Sequence, residues 1–134
     1  MDTAAAAARW ADTWKRAWEA LDPDAIVALY AEDAVVSTEP FREPARGRDA
    51  GVRGYVSRVF GEERDPRVWI GTPIVDGDRA AISWWASLIE DGADATLAGT
   101  SVLRFDGAGF VVSQWDAWNA LEVRRDPPPE AELT

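Results

Sequence analysis

Residues 101–119 read SVLRFDGAGFVVSQWDAWN, two strand-like runs around an Asp106-Gly107 turn. Asp-Gly between alternating apolar runs is a strong hairpin signal. The same punctuation recurs upstream at Asp76-Gly77-Asp78 and Asp91-Gly92. VWIGTPIV (68–75), RAAISWWASLIE (79–90), ATLAGTSVLRF (95–105) and FVVSQWDAWN (110–119) therefore read as an antiparallel meander.

Before residue 68 the period is helical. Trp10, Trp14, Trp18 and Leu21 recur at spacings of four, four and three, on one face of a helix over 3–20 with Thr3 as its cap. Asp22-Pro23 closes that run and opens a short second helix with Asp22 as N-cap. AVVST (34–38) reads as a strand, EPFREPARG (39–47) as a proline-punctuated loop, and 48–60 as a third helix. Three helices with one strand among them, then a strongly curved sheet, make an α+β architecture with helices covering one face of the sheet. Closing a cone this way leaves a blind pocket. One domain is expected over residues 1–124, with a frayed Pro-rich tail over 125–134.

Composition narrows the chemistry. The chain has 134 residues, 47% hydrophobic, and neither cysteine nor histidine. Thiolate and imidazole metal sites, cysteine nucleophiles and Ser-His-Asp triads are thereby excluded. Acid–base chemistry must come from Asp, Glu, Tyr, Lys or water. Twenty-four acidic residues stand against 14 basic ones, a formal charge of −10 without a basic run. Nucleic-acid and anionic-membrane partners are disfavoured by that balance. The opening MDTAAAAARW lacks a basic n-region and a long apolar core, so a cytoplasmic protein is the expectation. No stretch reads as a metal or organic-cofactor site. The acid pairs Glu62-Glu63 and Glu90-Asp91 read as solvated turn charges.

LDPDAIVALYAEDAVV (21–36), EPFREPARGRDAGVRGY (39–55), the hairpin pattern and SVLRFDGAGFVVSQWDAWN together resemble the nuclear-transport-factor-two-like, or SnoaL-like, superfamily of cone-shaped, cystatin-like α+β barrels. The resemblance runs from about Trp10 to Ala120. Against the ketosteroid isomerases it implies Glu39, just before Pro40, as the base. It places Tyr30 and Tyr55 in a hydrogen-bonded network, and Trp118 in the pocket. Trp14 and Ser101 fall where those enzymes carry their two oxyanion donors. Limonene-epoxide hydrolases, another branch, carry a last-strand aspartate in a context similar to Asp116. Their accompanying Arg and second Asp are missing from AISWWASL. Dehydratases of the scytalone type depend on histidines, which this chain lacks.

Strand alternation supplies the lining. If Trp118 faces the cavity, so do Gln114 and Asp116, with Trp115 outside. The same register turns Ser101, Leu103, Trp84, Ile82, Ala86 and Leu88 inward, with Val68 and Ile70, while Trp14 or Trp18 enters from the first helix. Two carboxylates, Asp116 and Glu39, are expected in an otherwise apolar cavity, where desolvation raises a carboxyl pKa toward neutrality. Tyr55, Tyr30 and Ser101 are candidate donors to a developing oxyanion. Asp116, Glu39 and Tyr55 are thus the candidate catalytic residues. Trp14, Trp18, Tyr30, Trp84, Ser101, Leu103, Gln114 and Trp118 are the candidate substrate contacts. The expected ligand is a small apolar or aromatic molecule. Two readings stay open: a cofactor-free acid–base enzyme doing isomerisation, cyclisation or epoxide-opening or hydration chemistry, and a non-catalytic domain that binds an apolar ligand or a partner protein. Trp69, Trp85 and Trp115 fall on the convex face, so a homodimer through that face is expected.

Overall fold

The computed structural model describes residues 1–133. Helix α1 (Thr3–Ala20) is capped by Asp2, not Thr3; the Asp2 carboxylate accepts from the Ala5 amide at 2.7 Å. Trp10 and Trp18 bury on its sheet-facing side. The helix ends at Leu21 in the left-handed region. Asp22 then caps α2 (Pro23–Val27), accepting from the Asp24 and Ala25 amides. Strand β1 (Tyr30–Ser37) starts earlier than its apolar run suggests, and β2 (Ala45–Arg46) is two residues long. The third helix is split into a π-helical turn at Gly47–Val52 and α3 (Arg53–Glu62). Gly51 permits the wide turn, because a Cβ there would lie 2.4 Å from the Arg46 backbone.

The remaining strands are β3 (Glu63–Ile70), β4 (Ile74–Asp76), β5 (Arg79–Glu90), β6 (Ala93–Phe105) and β7 (Val111–Leu121). The expected strand over 68–75 is thus two strands, interrupted at Gly71-Thr72-Pro73. The sheet order is β2-β1-β7-β6-β5-β3, with β4 on β5. β1 and β7 run parallel and the other pairs antiparallel, so the sheet is mixed. It does not close: β2 and β3 stand at its two ends. Three helices over a curved sheet give the expected α+β cone. Gly99 on β6 lets the sheet fold tightly here, since a Cβ would sit 2.5 Å from that of Trp118.

Alternation holds along the sheet. Val68, Ile70, Ile82, Trp84, Ala86, Leu88, Ser101, Leu103 and Gln114 are all buried, packed under α1 and α3. Among the described residues no helix is long and apolar enough to cross a membrane.

At the start of the tail, Arg125 and Asp126 are tied to the sheet; Thr134 lies outside the described residues. The Arg124 guanidinium donates to Ser87 Oγ at 2.9 Å, to the Ser87 and Asp65 carbonyls, and to the Asp65 carboxylate at 2.8 Å. Trp85 donates its indole N–H to the Arg125 carbonyl at 2.7 Å, and Arg67 pairs with Asp126 while lying over the Trp69 ring. Two of the three convex-face tryptophans are therefore dressed by the chain's own groups. Trp115, 50% exposed, stands between Val102 on β6 and Ser37 on β1.

Candidate active site

Between helices and sheet lies a cavity of about 170 Å³. All the candidate site residues named from the sequence border it except Leu103, which is 1% exposed and packs in the core.

Asp116 is where the polar contacts converge. Ser101, at the opposing register position on β6, donates its hydroxyl to Asp116 Oδ1 at 2.6 Å. Trp84 donates its indole N–H to the same Ser101 oxygen at 3.0 Å. A second relay starts at Trp10 and Trp14, whose N–H groups reach the Tyr30 hydroxyl at 3.3 Å. Tyr30 donates to Gln114 Oε1, and the Gln114 amide nitrogen donates to both Asp116 oxygens at 3.0 and 3.2 Å. Every donor in both relays points toward the carboxylate. Gln114 can take this orientation only, since its oxygen has a phenol to accept from and its nitrogen faces an anion.

Burial pushes the Asp116 carboxyl up to about 6; the Ser101 and Gln114 hydrogen bonds pull the other way. Near neutral pH it is a largely ionised carboxylate close to its titration midpoint. Burial pushes Tyr30 upward as well. Its hydroxyl donates to Gln114 and that of Ser101 to Asp116. Tyr55 is the phenol left to the cavity. Burial pushes it up to about 12, with the Asp116 charge adding and a Thr38 hydrogen bond offsetting.

Glu39 borders the cavity at its mouth but is not desolvated there. It pairs with Arg42 at 3.2 Å and keeps 44% of its side chain exposed. The two carboxylates expected to share an apolar pocket therefore occupy different environments. Trp118 lines the wall and ties β7 to the loop after β1, donating to the Thr38 carbonyl at 2.7 Å. Trp14 and Trp18 line the cavity from α1, and Trp84 lines it from β5, two strands from Trp118 with Gly99 between them.

Residues 7–114 match the sequence profile of the SnoaL-like domain. The chain belongs to the SnoaL-like family. Among solved structures, it is similar to SalBIII, an epoxide hydrolase/cyclase-like enzyme studied for pyran ring formation in the polyether salinomycin. That likeness has a TM-score of 0.74 at 18% identity, over 86% of this chain and 91% of that one. It is also similar to RV0760c from Mycobacterium tuberculosis, with a TM-score of 0.75 at 16% identity over 90% and 98% of the two chains. At such identities the likeness speaks for the fold. No curated protein matches the chain significantly.

This SnoaL-like chain holds a second buried acid that sequence reading placed in solvent. Glu63, expected as a solvated turn charge, is 3% exposed and borders the same cavity. Trp18 donates its indole N–H to Glu63 Oε1 at 2.7 Å. Burial pushes the carboxyl up to about 7; the Trp18 hydrogen bond opposes this, and the charges of Glu90 and Glu62 add to it. A β-bulge explains the miss. Between Arg64 and Arg67 three steps of β3 face two of β5, with Asp65 at φ 51°. Counting back by twos from Val68 puts Arg64 inside and Glu63 outside; the extra residue reverses that parity. The available signal was Asp65-Pro66, because proline in a strand marks an edge or a bulge.

Proposed function

We propose that this SnoaL-like chain is an enzyme carrying out cofactor-free acid–base chemistry on a small, largely apolar molecule, with Asp116 as the general base. One observation carries the reading: two relays of donors end on a carboxylate that burial nonetheless holds near 6. Such a group is oriented, accessible from the cavity and matched to proton transfer near neutral pH. Tyr55 is the candidate donor to oxygen developing negative charge. Glu39, paired with Arg42, serves the mouth. The cavity of about 170 Å³ sets the substrate's size, since an engineered apolar cavity of about 150 Å³ takes up benzene. One ring with a short substituent fits.

The likeness to SalBIII supports ring closure as the reaction subclass. Asp116 would take the proton of a substrate hydroxyl as its oxygen attacks an electrophilic carbon, and the departing oxygen would be protonated by Tyr55 or water. Isomerisation and hydration use the same two roles. One observation favours a second, non-catalytic reading: the Ser101 and Tyr30 hydroxyls are already spent within the protein.

A nitrobenzisoxazole tests base catalysis directly, because loss of its ring C–H proton breaks the N–O bond and releases a coloured cyanophenolate. The expected result is cavity-dependent turnover that rises with pH around 6 and is lost in Asp116→Asn with the fold retained. An unchanged rate in Asp116→Asn would sink the assignment and favour the binding domain.

A further inference from the structure

Trp18 and Trp84 meet edge to face, with ring centroids 5.8 Å apart. Trp84 turns its N–H to Ser101, the donor of Asp116, while Trp18 turns its own to Glu63. The cavity thus has two polar ends divided by this indole contact. Around the Glu63 end the rings stand steeply to one another: Trp14 to Trp18 at 75°, Trp14 to Phe60 at 83°, Trp18 to Trp84 at 61°. Rings so inclined wall in a space rather than stack.

Among the described residues the buried Glu63 carboxylate forms no ion pair. Its one donor is the neutral Trp18 indole, and Oε2 has no hydrogen-bond partner among the described residues. Arg58 on α3, which also borders the cavity, is held by Glu62 at 3.7 Å and lies over the Tyr55 ring. Glu62 on α3 and Glu90 on β5 add further negative charge. A carboxylate in this setting lacks compensation that an entering cation would supply, and indole faces add attraction for the same charge.

The end is also deliberately built. Glu63 points inward because of the bulge at Asp65, and Arg124 grips that bulge through the Asp65 carboxylate and carbonyl.

We propose that the Glu63 end of the cavity is a subsite for a protonated amine, with Glu63 as its counter-ion and Trp14, Trp18 and Trp84 as its walls. The ligand is then a small amine carrying one ring or an apolar body of that size. This rests on the reading of the Asp116 pocket as a small-molecule site and names the substrate class for it.

Phenylpropylamine and phenylpropanol test it, being near-isosteric and differing in charge. Their binding is followed at neutral pH by quenching of the pocket tryptophans, in the parent protein, Glu63→Gln and Asp116→Asn. The amine is expected to bind at least about tenfold tighter than the alcohol, a preference that shrinks below about twofold in Glu63→Gln and survives in Asp116→Asn. A mutation-free readout accompanies this: carbon-detected NMR of the Glu63 carboxyl, whose midpoint should fall on amine binding and stay put on alcohol binding. Equal binding of both compounds, a preference that survives in Glu63→Gln, or a Glu63 midpoint indifferent to the amine overturns the amine subsite and leaves the pocket reading standing. Failure of both compounds to bind the parent protein overturns the pocket reading and the subsite with it.

Discussion

Ser101 donates its hydroxyl to Asp116 across 2.6 Å, from directly opposed positions on β6 and β7. The pair is fixed by strand register, and Trp84 fixes the serine rotamer from behind. Ser101→Ala removes a donor that lowers the Asp116 pKa, so the midpoint should rise further above 6. It also strands the Trp84 N–H, at a cost of about 1–3 kcal/mol. Carbon-detected titration of Asp116 and urea melts check both; an unmoved midpoint would mean the bond does not form.

Glu63 makes stability depend on pH with an unusual sign. Its carboxyl rises from an ordinary 4.5 to about 7 on folding, so the folded state binds the proton more tightly. Its contribution is fully favourable below 4.5 and is lost as pH climbs to 7. At about 1.4 kcal/mol per unit the whole swing is about 3 kcal/mol. Glu63→Gln keeps an acceptor for Trp18 and does not ionise, so it should gain stability relative to the parent between pH 5 and pH 8. Urea unfolding at the two pH values measures this, and a constant difference would contradict it.

Arg124 should act at a distance on the cavity. Its guanidinium joins Asp65 on the bulge to Ser87 on β5. Arg124→Ala should cost about 1–3 kcal/mol, through the buried Ser87 groups it leaves unpaired. It should also speed hydrogen exchange of the Trp18 indole N–H, the proton given to Glu63. Destabilisation without faster Trp18 exchange would make Arg124 a simple staple.

What the sequence revealed follows from which patterns are local. Asp-Gly turns and alternation placed β5 to β7 nearly to the residue, and with them Gln114, Asp116 and Trp118 on the concave side. The helical tryptophan spacing did the same for α1. The parity reversal at Asp65 escaped because a bulge is a property of two paired strands, and β3 shows only Pro66 as a trace. Arg124 escaped likewise: its partners Asp65 and Ser87 are distant in the chain. That Glu39 would find Arg42 three residues on, and so stay solvated, depended on a loop geometry which its prolines do not determine.

On the proposed function Asp116 is a base tuned by burial. Titrating its carboxyl carbon by NMR, with the resonance assigned through Asp116→Asn, tests this most directly. The expected midpoint lies near 6. A midpoint at the ordinary aspartate value of 3.8 would contradict it.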